Sequence, residues 1–277
     1  MTLANLGVCS WCIDRGDVIR AIRFVGTELD LRITQLGFFT ARAVDTASSE
    51  AIRRMSGEVG VRIIGSFVGF EGEDYASIEQ IGATGGYRPD NTYRDRLRIT
   101  RQVAALTAAC GGRSVAVHAA TIPDDPASVL FGTLVDRVRE VAQAVASEGV
   151  ALLLETGRER IETLRRFLDA LGRDDVGVNF DPGNLLVYGT DAPVEAVSTL
   201  GDRIRIVHLK DAVRSARPGI EYGHRAALGD GDARIADVVG RLKALGYTGP
   251  LLLEVRPGAG NPRDFAASIE YVRSLLC

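Results

Sequence analysis

Four ligand-type residues each close a strand-like apolar run in the second half of the chain. Glu155 follows Ala151-Leu152-Leu153-Leu154, and Asp181 follows Val176-Gly177-Val178-Asn179-Phe180. His208 follows Arg205-Ile206-Val207, and Glu254 follows Leu251-Leu252-Leu253. Two glutamates, one aspartate and one imidazole make an oxygen-rich donor set suited to a hard or borderline divalent ion. Taken singly, each has a plain structural alternative. A strand-end carboxylate can rest on an arginine or a helix N-terminus, Asp181-Pro182-Gly183 is a good turn sequence, and an isolated histidine is more often packed than ligating. Four such coincidences at equivalent positions are a heavier demand. Three carboxylates gathered without a cation would also repel one another and resist desolvation. The expectation is one divalent metal ion (Mn2+, Mg2+, Co2+ or Zn2+) on Glu155, Asp181, His208 and Glu254.

A repeating scaffold has to deliver those positions. The chain has 277 residues, enough for one large α/β barrel or two small domains. Strand-like runs are expected at 6–13, 33–39, 61–68, 114–119, 150–155, 176–181, 204–209 and 250–255. Helical periodicity falls between them: 17–26, from an N-cap at Ser48, 93–109 closed by Gly111-Gly112, 129–148, about 160–171, about 193–200, 234–245 and about 262–276. Residues 69–91 and the segment before 234 read as long loops. Eight alternating units with no composition shift predict a single (β/α)8 TIM barrel over residues 1–277. A doubly wound dinucleotide fold would place a glycine-rich turn after the first strand, where this chain has Asp14-Arg15-Gly16-Asp17. In the barrel the four ligand-type residues converge on one side of the mouth at the C-terminal strand ends.

Composition narrows the function. Hydrophobic residues at 46% allow a large core, and a net charge of -3 argues against a nucleic-acid partner. No apolar run reaches the roughly 18 residues of a bilayer span, and the first residues lack a basic leader. The expectation is a cytoplasmic protein with no membrane partner. Cys9-Ser10-Trp11-Cys12 matches C-x-x-C spacing but has no second pair, so Cys9, Cys12, Cys110 and Cys277 are expected to be free thiols. Oligomeric state is left open, and a homo-oligomer is compatible with the sequence.

The phrases Leu153-Leu154-Glu155-Thr156, Asn179-Phe180-Asp181-Pro182-Gly183-Asn184, Val207-His208-Leu209-Lys210-Asp211 and Leu228-Gly229-Asp230-Gly231-Asp232 resemble the xylose isomerase-like TIM-barrel superfamily. Gly7-Val8-Cys9-Ser10-Trp11 and Thr84-Gly85-Gly86-Tyr87-Arg88-Pro89-Asp90 are also similar to that group, so the resemblance spans nearly the whole chain. It includes sugar phosphate isomerases and epimerases, ketose 3-epimerases, inosose dehydratases and, more distantly, endonuclease IV. The resemblance to ketose 3-epimerases implies that Glu155, Asp181, His208 and Glu254 bind the metal, with Glu155 and Glu254 as an acid/base pair. It implies a substrate contact for Arg214, six residues after His208. Many relatives have a histidine three residues after the aspartate; here Asn184 stands there, able to hydrogen-bond a hydroxyl but not to carry a proton.

Other residues are candidates for the substrate side. His118 ends the fourth strand-like run, and Lys210 lies one inward step beyond His208, suited to a phosphate or enolate oxygen. His224 precedes the glycine-rich 229–231 turn, and Trp11 could wall a sugar face. Each has a packing or solvated alternative. The expected activity is metal-dependent isomerisation or epimerisation of a sugar, keto-sugar or polyol-like substrate through an enediolate. The alternative is a dehydratase or lyase on the same scaffold. Phosphodiester hydrolysis needs more metal ligands than three histidines help to supply, and a non-catalytic binding protein is the remaining alternative.

Overall fold

The computed structural model describes residues 2–255 and 262–276. The strands run β1 (Leu6–Cys9), β2 (Ile33–Phe38), β3 (Arg62–Val68), β4 (Ser114–Val117), β5 (Ala151–Glu155), β6 (Gly177–Phe180) and β7 (Ile204–Leu209). After them come β8 (Asp211–Val213), β9 (His224–Ala226) and β10 (Leu251–Leu253). Strands β1 to β7 and β10 close a parallel barrel in chain order, with β10 hydrogen-bonded to both β7 and β1. This is a (β/α)8 barrel. Strands β1, β2, β4, β6 and β10 are buried at every position, which is why they read as continuous apolar runs.

The helices between strands start and stop where their side chains allow. Asp17, Ser48 and Ser128 each accept a hydrogen bond from the backbone amide three residues on, capping Val18–Thr27, Ser49–Val59 and Val129–Ala146. Gly60 and Gly172 end helices in the left-handed conformation, with φ of 66° and 61°. Helix Ile161–Leu171 buries Ile161, Leu164, Phe167, Leu168 and Leu171, a helical stripe packed onto the barrel. Among the described residues no helix is long and apolar enough to cross a membrane.

Several local expectations are corrected. The first strand ends at Cys9, and Ser10–Ile13 forms a helical turn; the Ser10 hydroxyl accepts from the Gly37 amide at 2.9 Å, tying the turn to β2. Trp11 therefore sits on that turn and not on a strand. Helix Ile78–Thr84 occupies part of the expected 69–91 loop, and the next helix, Asp90–Ala109, begins three residues before Tyr93. Pro182–Tyr188 is a helix rather than a simple turn, because Asp181 caps it and Pro182 takes its first position. The loop after β7 contains an antiparallel ribbon of β8 and β9. Cys9, Cys12 and Cys110 are free and buried; Cys277 lies outside the described residues.

Two fasteners hold the loops that reach the barrel mouth. The Asp211 carboxylate accepts from four backbone amides, Ala212 (2.8 Å), Gly229 (3.0 Å), Gly231 (3.1 Å) and Ala233 (3.1 Å). A Cβ at Gly231 would lie 2.2 Å from that carboxylate, so glycine is needed there. In the 69–90 segment Glu73 Oε1 accepts from the Gly86 amide at 2.8 Å, and buried Arg96 donates to the Thr84 carbonyl at 2.8 Å and to the Gly86 carbonyl. Gly86 has φ of 57°, and a Cβ there would fall 1.9 Å from the Ala119 carbonyl oxygen.

Gly86→Ala is therefore expected to cost more than about 2 kcal/mol, read as a lower urea midpoint at unchanged slope. A second expectation concerns Glu159, buried in the loop after β5. Burial pushes its carboxyl up to about 8, against the pull of neighbouring Arg158. The folded state thus keeps a proton that the unfolded chain releases from about pH 4.5, so this contribution is fully present below that pH and is lost as pH rises through about 8. Glu159→Gln should gain stability over the parent between pH 5 and 8, on the order of 1 kcal/mol per pH unit, in denaturation curves taken at both pH values.

Candidate metal centre

Glu155 ends β5, Asp181 follows β6, His208 lies in β7 and Glu254 follows β10. Parallel register sets them level: Glu155 pairs with Asn179, two residues before Asp181, and His208 pairs with Leu252, two before Glu254. One ligand atom from each of the four lies within 4.8 Å of the others. His208 Nδ1 is 3.0 Å from Glu155 Oε1, 3.0 Å from Glu254 Oε2 and 4.0 Å from Asp181 Oδ2. The other ring nitrogen, Nε2, lies 2.7 Å from Gln35 Oε1 on the far side of the barrel. The Gln35 amide is oriented by its donation to the Ser66 carbonyl at 3.3 Å, so its oxygen faces His208 and accepts from Nε2–H. That leaves Nδ1 as the nitrogen turned to the carboxylates, the arrangement of a metal-ligating histidine held by an outer partner.

The charges are crowded and dry. Burial pushes the Asp181 carboxyl up to about 7, with Glu254 and Glu155 adding to the rise and Lys210 opposing it. Burial would raise Glu155 too, but His118 and His208 hold it below its ordinary value. For Glu254 burial is outweighed by Lys210, His208 and Arg225, which hold the carboxyl well below the usual range. Burial would keep the His208 ring neutral; Cys9, Glu155 and Glu254 outweigh it and lift the imidazole well above its ordinary pKa. Lys210 Nζ donates at 2.9 Å to Asp181 Oδ2, to Asn184 Oδ1 and to Glu254 Oε1. Arg225 Nη2 adds a second cation 2.9 Å from Glu254 Oε1. The oxygen-rich donor set, its proximity and its negative charge fit a hard or borderline divalent ion.

A cleft of about 450 Å³ opens above the cluster, and of the four only Glu155 and Glu254 line it. Its walls include Trp11, Phe39, Phe67, His118, Asn184, Lys210, Tyr188, Tyr222 and Arg225. Trp11 packs 5.6 Å from the His208 ring and 5.4 Å from Phe67. His118 Nε2 lies 3.0 Å from Glu155 Oε2, and burial pushes the imidazole down to about 4, so the neutral ring donates to the carboxylate. Asn184 donates to the Thr156 carbonyl at 3.3 Å and accepts from Lys210.

Arg214 and His224 do not line the cleft. The Arg214 guanidinium donates to the Asp191 carbonyl, and its backbone amide to Asp232 at 2.9 Å. His224 and Arg225 are successive residues of β9 and so point to opposite faces, leaving His224 exposed and Arg225 at Glu254. Arg225 carries no motif, and only the ribbon register selects it. Gln35 was discoverable as the one amide in the apolar Ile33–Phe38 run.

Comparison with known proteins agrees with this architecture. A curated inosose dehydratase from Clostridium botulinum is 26% identical over 153 residues, 49% of this chain; the chain spans about half, 51%, of that relative's length. A xylose isomerase domain protein from Planctomyces limnophilus superposes with TM-score 0.85 and 28% identity, covering 90% of this chain and 89% of the other. A D-allulose 3-epimerase from Methylomonas sp. superposes with TM-score 0.74 and 17% identity, covering 100% and 99%. The family model for the xylose isomerase-like TIM barrel matches residues 24–275, and the chain belongs to that family.

Proposed function

We propose that this protein is a divalent-metal-dependent isomerase or epimerase that moves a proton at the carbon beside a sugar carbonyl, through an enediolate. One observation carries the reading. Within a buried ligand cluster of four, Glu155 and Glu254 alone also face the cleft, while Asp181 and His208 lie behind them with 0% exposure. Those two carboxylates are thus in reach of both an ion and a substrate.

Glu155, Asp181, His208 and Glu254 would hold the ion, which supplies positive charge beside a carbonyl oxygen and makes the adjacent C–H more acidic. The protein does the proton handling. Glu155 has a neutral imidazole at its Oε2, and Glu254 has two cations at its Oε1. The donors around both glutamates favour the ionised form, so either stands ready as a carboxylate to take a proton, and the cations at Glu254 make a protonated carboxyl there give it up readily. Removal of the α-proton by one of Glu155 and Glu254 and its return by the other would invert a centre, and its return to the neighbouring carbon would shift a carbonyl. Trp11, Phe39 and Phe67 offer apolar faces to a sugar ring or chain, and Asn184, Tyr188 and Tyr222 offer polar atoms for its hydroxyls.

A dehydratase is the second reading, supported by the inosose dehydratase match. Expulsion of a β-hydroxyl from the same enediolate needs little further machinery, and loss of water in the product separates the two.

The shared step is tested with keto sugars in D2O. Deuterium should enter at the α-carbon with Mn2+ or Mg2+ present, stop on chelation and resume on metal addition. A substrate turned over without α-exchange sinks the enolisation mechanism. Glu254→Gln and Glu155→Gln should each lower exchange by at least about 100-fold while circular dichroism and the melting profile stay those of a folded barrel. Undiminished exchange in both variants would instead point to another catalytic group, and no exchange or turnover by the metal-loaded parent protein would point to a binding protein.

A further inference from the structure

We infer that Arg15 forms an anion-binding subsite at the rim of the cleft, selecting substrates that carry a carboxylate or phosphate away from the reacting carbonyl. The inference deepens the keto-sugar reading above and rests on it. Arg15 follows the helical turn after β1, is exposed, and lines the same cleft as Glu155 and Glu254. Its guanidinium lies 4.6 Å over the centre of the Phe39 ring. Stacking of this kind holds the plane and leaves the N–H edge free for two parallel bonds to an oxyanion.

The platform beneath it is built closely. A Cβ at Gly37 would lie 2.7 Å from Phe39 Cε2, and one at Gly69 2.7 Å from Phe39 Cδ1, so only glycines let the ring lie there. Phe39 packs edge-on against Trp11 at 5.8 Å, and Trp11 in turn against His208 at 5.6 Å. Arg15 is thus joined to the ligand cluster through a row of rings and stands at its outer end.

The charge pattern leaves this cation over. Asp14 Oδ1 accepts from the Gly16 and Asp17 amides at 2.9 and 3.0 Å, and its Oδ2 pairs with Arg20 at 2.6 Å. Asp17 caps its helix through the Arg20 amide at 2.9 Å. Lys210 and Arg225, the other cations of the cleft wall, are both engaged with Glu254. Among the described residues the Arg15 guanidinium has the Phe39 ring and no acidic partner. A neutral sugar gives such a group nothing charged to pair with, whereas a keto acid or a sugar phosphate does.

The test is calorimetry on the full chain loaded with Mg2+, using D-fructose, 5-keto-D-gluconate and D-fructose 6-phosphate as probes. One anionic probe should bind at least about tenfold tighter than D-fructose, and which one does so identifies carboxylate or phosphate. That ratio should fall to near one in Arg15→Gln, be partly kept in Arg15→Lys, and shrink with added salt because the site is open to solvent. Equal affinities in the parent protein, no binding of any probe, or an undiminished ratio in Arg15→Gln each overturn the subsite. Solvent exchange judges the other reading separately. An anion preference without exchange keeps the subsite and removes the enolisation chemistry, and exchange without a preference does the reverse.

Discussion

Three carboxylates held out of water around one imidazole dictate the rest of the barrel mouth. Each would be costly to bury alone, and together they repel. The surroundings answer residue by residue: Lys210 bridges Asp181 and Glu254, Arg225 reaches Glu254, and His118 hydrogen-bonds Glu155 as a neutral donor. Lys210 can be buried only because three acceptors meet its ammonium. Asp181 remains the strained member, its carboxyl lifted by burial and by its two acidic neighbours. A donor set of this kind is built around positive charge.

The barrel supplies the level on which this happens. Parallel pairing puts the ends of β5, β6, β7 and β10 in one layer, and strand alternation turns their last inward side chains to the axis. Opposite this acidic half stands a row of rings, Trp11, Phe39 and Phe67, carried by the turn after β1, the residue after β2 and strand β3. The cleft therefore has a charged floor on one side and an apolar wall on the other, a shape that suits a carbon skeleton bearing oxygens along one edge.

Much of this arrangement is legible in the sequence because it follows from periodicity. Apolar runs of strand length alternating with helical stripes predict the barrel, and a ligand-type residue ending each of four such runs predicts the juxtaposition of Glu155, Asp181, His208 and Glu254. What periodicity does not reach is local geometry set by distant partners. Trp11 leaves the strand because Ser10 is tied to Gly37 of β2. Asp181 starts a helix that Pro182-Gly183 alone would suggest is a turn. Arg225, and not Arg214, meets the site because the register of β8 against β9 decides which side chains turn inward. No spacing rule encodes that register, and the loop after β7 contains several arginines of equal apparent promise.

The Asp211 fastener bears on how the protein would fail. Its carboxylate gathers amides from the Gly229–Gly231 turn and follows directly on Lys210, within the ribbon that also presents Arg225. Arg225 thus hangs from a loop closed by a handful of hydrogen bonds, and Lys210 joins that loop to β7, while the cluster itself is carried by the barrel. Loops of this kind open locally at a lower free energy than the strands beneath them. On warming, the electrostatic balance is accordingly expected to fail ahead of the barrel, with amide exchange in the 227–233 turn rising before global melting.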